Sequence, residues 1–274
     1  MEHFKLVLLI ISSRGAIYDK MKEIQRNFLK NFDVTYFFIE NDPTIKKNVI
    51  LNGDVLTFKN NEDYIPGISI KTIESMEYVL ENIDFDLIIR TNLSTLFDIP
   101  KTIKKFRDIK NIEKYYGGHC GCITISENFI KKYYNSYKYY YNDNISCGSI
   151  IKFISSKVSG DMLFVGGTHI AMGKDIVKYI VKCYNDSKKI INYFIDDVLI
   201  GILININKSI IIDQTKLENM RMDFYGDIDP TQNIIVPENV YCFRYKHNKD
   251  RNKDVEYMNI ISNKILKSYK INTK

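Results

Sequence analysis

Three strand-length apolar runs constrain this chain most: Lys5–Ser12, Val34–Ile39 and Phe85–Arg90. Each is almost continuously hydrophobic, without alternation, so both of its faces must be covered. That is the pattern of parallel strands buried between two helix layers. The first run is far too short to cross a bilayer, which takes ~20 apolar residues. It leads into Ser12-Ser13-Arg14 where a leader would carry a small-residue cleavage site. It is therefore read as a first core strand, with no anchor ahead of it, and the chain is expected in the cytoplasm.

Helical periodicity fills the intervals between the runs. Met21, Ile24 and Phe28 recur at helical spacing in Tyr18–Asn31, and Ile70, Ile73, Met76, Tyr78 and Leu80 fall mostly on one face of Ser69–Asn82, after Pro66-Gly67. Asp54–Phe58 reads as a short strand, Ile99–Lys110 as an amphipathic helix, and Tyr115–Ile125, with Gly117, Gly118 and Gly121, as a strand pair. Met162–Gly167 reads as a strand entering a glycine turn, Gly173–Asn185 and Asp196–Leu203 as helices, and Asp250–Tyr269 as a terminal helix. This alternation predicts an α/β fold with a mixed, mostly parallel, Rossmann-like sheet flanked by helices. No repeat or linker divides the 274 residues, so residues 1–274 are read as one domain with two halves that meet near residue 110.

Composition narrows the function. Hydrophobic residues make up 45% of the chain, enough for a continuous core. Lys and Arg number 39 against 33 Asp and Glu, a net charge of +6 that suits an anionic small molecule and lacks the dense basic stripe of a nucleic-acid binder. The five cysteines, Cys120, Cys122, Cys147, Cys183 and Cys242, are odd in number and without C-x-x-C spacing, which fits a reducing compartment. Abundant Ile, Asn, Lys and Tyr suit an AT-rich genome, such as that of an intracellular parasite or a large DNA virus, in which case the cytoplasm is the host's. The tyrosines of Lys131–Asn144 (Tyr133, Tyr134, Tyr137, Tyr139, Tyr140, Tyr141) fit either a packed hairpin or an acceptor-binding surface.

Ligands of open α/β sheets bind outside the carboxyl ends of the strands, so polar residues there are the first candidates. Ser12, Ser13 and Arg14 follow the first strand and either cap a turn or meet a nucleotide. Arg90, Asn92 and Ser94 stand where the third run turns abruptly polar, and either close a turn or bind sugar or phosphate. Asp196 and Asp197 open a helix, where the dipole favours acids, and one of them could instead take a proton from a hydroxyl. Arg244, Lys246 and His247, with Tyr245 and Arg251, form a basic cluster that is either a solvated charge run or a diphosphate clamp.

An ordered set of these motifs resembles the beta-1,3-galactosyltransferase and Fringe-like family of inverting GT-A glycosyltransferases. It comprises Gly53-Asp54-Val55, Asp63-Tyr64, Ile68 to Thr72, Phe85-Asp86, Arg90 to Ser94, Phe164 to Gly167, and Asp196-Asp197-Val198-Leu199-Ile200-Gly201. The resemblance runs from about Lys5 to Gly201. It implies transfer of a sugar from a UDP-sugar to a glycan or glycoprotein acceptor hydroxyl, with inversion and without nucleic acid. It makes residues 1–110 the nucleotide-sugar half and 111–274 the acceptor half. Asp197 matches the general base, Ser12 and Arg14 the nucleotide loop, Lys71 the helix-start lysine, and Gly166 and Gly167, with Asp196, the acceptor side. The family's D-x-D metal site falls on Asn92-Leu93-Ser94, whose neutral groups offer no carboxylate, so a manganese or magnesium site is not expected there. The same loss leaves a catalytically silent nucleotide-sugar or carbohydrate binder as the alternative.

Overall fold

A computed structural model describes residues 3–140, 146–158, 160–191, 193–206, 222–224, 240–244, 246–247 and 250–270. Tyr141 to Asn144 of the tyrosine-rich stretch and Tyr245 of the basic cluster lie outside the described residues.

The apolar runs become the middle of a seven-stranded sheet. Its order is β3 (Val49–Asn52), β4 (Val55–Phe58), β2 (Thr35–Asn41), β1 (Leu6–Ile11), β5 (Leu87–Asn92), β8 (Gly160–Gly173) and β7 (Tyr116–Ile125). Strands β4, β2, β1 and β5 are parallel, β3 and β8 run against them at the two sides, and β7 pairs antiparallel with β8. The pleat sends Val7, Leu9 and Ile88 into one core and Leu6, Leu8, Ile10 and Ile89 into the other. The first core is closed by α2 (Gly67–Asn82), α4 (Glu127–Tyr137), α5 (Cys147–Lys157), α6 (Lys174–Ile191) and α7 (Asp196–Ile206). The second is closed by α1 (Ala16–Leu29), α3 (Ile99–Arg107) and α8 (Arg251–Ser268). Each large side chain so buried is worth about 1.5–3 kcal/mol, so uncovering either face would undo the parallel strands.

Helix ends follow local chemistry. Asp98 caps α3 by accepting the Lys101 N–H at 3.2 Å, Ser126 caps α4 by accepting the Phe129 N–H at 3.1 Å, and Asp250 caps α8 by accepting the Asn252 N–H at 3.0 Å.

Three expectations are corrected. Tyr115–Ile125 is not a strand pair; β7 is one strand, because its glycines serve a bulge beside β8 and do not form a turn. A Cβ on Gly118 would lie 2.4 Å from the His169 carbonyl oxygen, so only glycine fits there. The tyrosine-rich stretch is no hairpin: its described part is α4 followed by a 3-10 turn, Lys138–Tyr140, because Ile130, Tyr133 and Tyr137 recur at helical spacing behind the Ser126 cap. Gly166 and Gly167 lie inside β8, not in a turn after it.

Other elements were not anticipated. Strand β3 pairs with β4 through Asn52-Gly53, with Gly53 at φ 60. A second sheet orders β6 (Thr95–Phe97), β10 (Cys242–Arg244) and β9 (Met222–Phe224). It pairs Arg244 with Thr95 and so brings the basic cluster to the end of β5.

Gly173 closes β8 against the backbone of the 3-10 turn Ile112–Lys114, where an added Cβ would meet the Ile112 carbonyl oxygen at 1.9 Å and the Glu113 carbonyl carbon at 2.6 Å. Neither neighbour is a side chain that can swing away. Gly173→Ala is therefore expected to cost about 1–3 kcal/mol or more of stability, read as a lower urea midpoint at unchanged slope; a midpoint equal to wild type would contradict this packing.

Candidate functional site

The order of strands reverses its direction of growth between β1 and β5, since β2 and β4 lie on one side of β1 and β5 on the other. A crevice forms outside the carboxyl ends at such a point. Ile11 and Asn92 are register partners there, and the Leu93 N–H donates to the Ile11 carbonyl at 3.2 Å. Buried Gln25, reaching from α1, donates from Nε2 to the carbonyls of Leu93 (3.0 Å) and Thr95 (2.6 Å) and fixes the turn between β5 and β6.

Two cavities open onto this edge. One, of about 440 Å³, is lined by Ser12, Ser13, Asn92 and Ser94 and by the cations Arg244, Lys246 and Arg251. The second, of about 280 Å³, is lined by Tyr64, Arg90, Gly167, Thr168, Asp196 and Asp197. Ile68, Asn92, Arg244 and Lys246 line both. The first cavity takes its walls from both halves of the chain, because β10 and the start of α8 return to the end of β5.

Of the cations of the first cavity, Arg251 pairs with buried Asp254, while Arg244 and Lys246 have no carboxylate partner among the described residues. Burial holds Arg244 below its ordinary pKa, and Arg90 and Arg251 push it further down. Lys246 is lowered by burial and then by Arg244 and Arg251. Arg244 donates from Nη1 to Thr168 Oγ1 at 2.7 Å, while its buried Nε has no hydrogen-bond partner among the described residues. Mutual repulsion plus an unspent donor is the arrangement a bound anion relieves.

The other candidates of this edge divide by where their side chains go. Ser12 is buried and donates to Glu40 Oε1 at 3.0 Å, and Ser13 donates to Glu62 Oε1 at 2.9 Å. Arg14 lines neither cavity; its Nη1 meets Asp42 Oδ2 at 2.6 Å. Lys71 also lines neither. It is fully buried, held below its ordinary pKa by desolvation, and donates to the Ser12 carbonyl at 2.7 Å and to Glu62 Oε1. It supports the Ser12 loop from beneath. His247 turns toward α8, accepting the Asp250 N–H on Nδ1 at 2.9 Å and donating its own N–H to Asp254 at 2.5 Å. Tyr18, Tyr64, Ile68 and Thr168 line the cavities without having been singled out as lining residues; only the tertiary fold brings them there.

The two neighbouring acids have opposite surroundings. Asp196 is buried and holds Arg90 through its Oδ2, 2.6 Å from both Nε and Nη2, and the same oxygen accepts Thr72 Oγ1 at 2.9 Å. Asp197 is half-buried, faces the second cavity, and accepts the N–H groups of Gly167 and Val198 at 2.8 Å each. Burial, then the neighbouring Asp196 charge, raises it to about 6, against the opposing pull of Arg90 and those two N–H groups. A Cβ on Gly167 would sit 2.9 Å from Asp197 Oδ2, so glycine is required for this approach.

A hard divalent cation does not fit the donor set at the end of β5. The amide oxygen of Asn92 lies 3.4 Å from the Arg90 guanidinium, Ser94 is buried, and the adjacent carboxylate of Asp196 is engaged by Arg90. No group of three His, Cys, Asp or Glu side chains placed to hold a metal ion occurs among the described residues.

No family model matches the chain, and no curated protein does. Among solved structures, the galactosyltransferase LgtC in complex with donor and acceptor sugar analogs is similar at a TM-score of 0.43 and 11% identity, over 92% of this chain and 95% of that one. An active-site mutant of LgtC is similar at 0.42 and 11%, over 92% and 94%. HddC from Yersinia pseudotuberculosis is similar at 0.28 and 16%, over 64% and 79%. At these levels the chemistry must be read from the site itself.

The acids are separable by stability. Asp196→Asn strands a buried guanidinium and is expected to cost about 3–5 kcal/mol in denaturant unfolding. Asp197 behaves otherwise. Its folded pKa lies above its ordinary value of 3.8, so the folded state binds the proton more tightly and wild-type stability falls as pH rises from 3.8 to about 6. Melts of Asp197→Asn should lack that fall, so the variant gains on wild type across this window; parallel melting curves for the two proteins would refute the assignment.

Proposed function

We propose that this chain is a GT-A glycosyltransferase of the beta-1,3-galactosyltransferase and Fringe-like kind, moving a sugar from a UDP-sugar to an acceptor hydroxyl with inversion. The observation that carries the reading is the junction of the two cavities at Asn92, Arg244 and Lys246, with cations on one side and the half-buried carboxylate of Asp197 on the other. A nucleoside diphosphate fits the first cavity, which Ser12, Ser13 and Ser94 line and where Arg244, Lys246 and Arg251 supply charge. Its sugar then reaches across the junction toward Asp197, and the acceptor enters the second cavity.

Transfer is one in-line displacement. The acceptor oxygen bonds to the anomeric carbon as the bond from that carbon to the diphosphate oxygen breaks, and the acceptor proton passes to Asp197. The departing diphosphate keeps the bonding electron pair, and the cations stabilise its growing charge as fixed positive groups do in acyl and phosphoryl transfer. Arg90 neutralises Asp196, so Asp197 is the carboxylate left to act as base. No step is routed through a divalent metal. Cys147, Cys183 and Cys242 are unpaired, which supports a reducing compartment such as the cytoplasm. Among the described residues no helix is long and apolar enough to cross a membrane.

Calorimetry with UDP tests the donor half: binding is expected with or without EDTA, and Arg244→Ala with Lys246→Ala should weaken it at least about tenfold, as loss of charge-assisted hydrogen bonds does. Absence of UDP affinity in wild type would reject the reading. Asp197→Asn should retain UDP affinity and lose transfer by ~10²–10⁴. The wild-type rate should climb as pH rises through about 6, where Asp197 becomes a carboxylate. Full UDP affinity with no transfer to any acceptor would leave the silent binder.

A further inference from the structure

The tyrosines at the end of α4 form a surface that donor binding and proton transfer do not use. Tyr64 lines the Asp197 cavity, and its ring centre is 6.0 Å from that of Tyr137 and 5.5 Å from that of Tyr140, with planes inclined by 32° and 41°. Tyr140 in turn lies 4.3 Å from Tyr139 at 40°. The four tyrosines follow one another, Tyr137 also meeting Tyr140 at 6.4 Å and 30°, and Tyr64 is 42% and Tyr139 70% exposed.

This array is coupled to the site in two ways. Tyr64 is a wall of the cavity. Behind it, Tyr133 packs on Phe194 at 5.1 Å, and its hydroxyl accepts the Ile195 N–H at 2.8 Å, one residue before Asp196. Exposed aromatic area contiguous with a reaction cavity marks a binding surface.

We infer that Tyr64, Tyr137, Tyr139 and Tyr140 form a carbohydrate subsite that stacks the apolar face of an acceptor pyranose and leads it toward Asp197; this rests on the transfer reading above. Two features select a sugar. An aromatic face is electron-rich and attracts the slightly positive C–H groups that a pyranose presents on one face. The ring-edge hydroxyls of tyrosine meet the sugar's own equatorial hydroxyls, which phenylalanine would leave unpaired. Burial and the neighbouring Tyr137, Asp197 and Asp196 raise the Tyr64 hydroxyl to about 12, so it remains a donor at neutral pH.

Saturation-transfer NMR with the methyl β-glycosides of glucose, galactose and N-acetylglucosamine tests the subsite without requiring turnover. The chain contains no tryptophan, so aromatic saturation starts from tyrosine, phenylalanine and histidine alone. At least one glycoside is expected to receive saturation most strongly on the C–H protons of a single ring face. Tyr139→Ala with Tyr140→Ala should weaken that binding at least about tenfold, the scale of one lost aromatic stack. Tyr139→Phe with Tyr140→Phe should retain most of it. UDP affinity should be unchanged in both variants, which also reports an intact fold; if the alanine pair does not fold, Tyr139→Ala alone carries the same comparison. No saturation of any glycoside by wild type, or equal saturation by the alanine variants, overturns the subsite. Glycoside saturation in a wild type that fails to bind UDP would overturn the transfer reading and uphold the carbohydrate surface.

Discussion

Arg90 and Asp196 meet at the carboxyl end of the sheet, both out of water, and the site is arranged around that pair. Attraction between desolvated charges repays their burial only when the remaining hydrogen-bonding capacity is filled. Here Thr72 from α2 adds a bond to Asp196, and the carbonyl of Gly167 on β8 accepts from Arg90. One ion pair thus clamps α2, α7, β5 and β8 together. It also leaves Asp197 facing the cavity with a carboxyl group that burial and Asp196 raise to about 6.

The same economy of charge runs along the first cavity. Glu40 lies beneath Ser12 and is held by Lys22 at 2.7 Å, Glu62 is held by Lys71, and Asp42 by Arg14. Acids near the β1 and β2 ends are thereby neutralised, and the positive potential of Arg244 and Lys246 is not cancelled by them. That explains why Lys71 and Arg14 look like ligand residues in the sequence yet line no cavity: they balance the loop acids on which the cavity rests.

Much of the scaffold was legible. The runs around β1, β2 and β5, the stripes of α1, α2 and α6, and the acid-headed α7 all follow from periods that local sterics and burial impose. The misread glycines are instructive. Gly118 and Gly167 suggested turns because glycine most often marks one, but here each makes room for a non-local neighbour, the His169 carbonyl and the Asp197 carboxylate. The Asn52-Gly53 pair is a hairpin signal, and it joins β4 to the short, exposed edge strand β3.

The sequence by itself determined the parallel core and the polar residues at its strand ends, because a continuous apolar run admits few environments other than a sheet covered on both faces. It also singled out Asp196 and Asp197 as a pair. Only the tertiary structure decided their surroundings, because burial and hydrogen bonding depend on Arg90, 106 positions away, and on Gly167, 30 positions away. Likewise, Arg244 and Lys246 became a cavity wall only when β10 paired with β6. Tyr64 became continuous with Tyr137 and Tyr140 only when α4 packed beside it. Charge and packing act over ångströms in space, and a sequence records only distance along the chain.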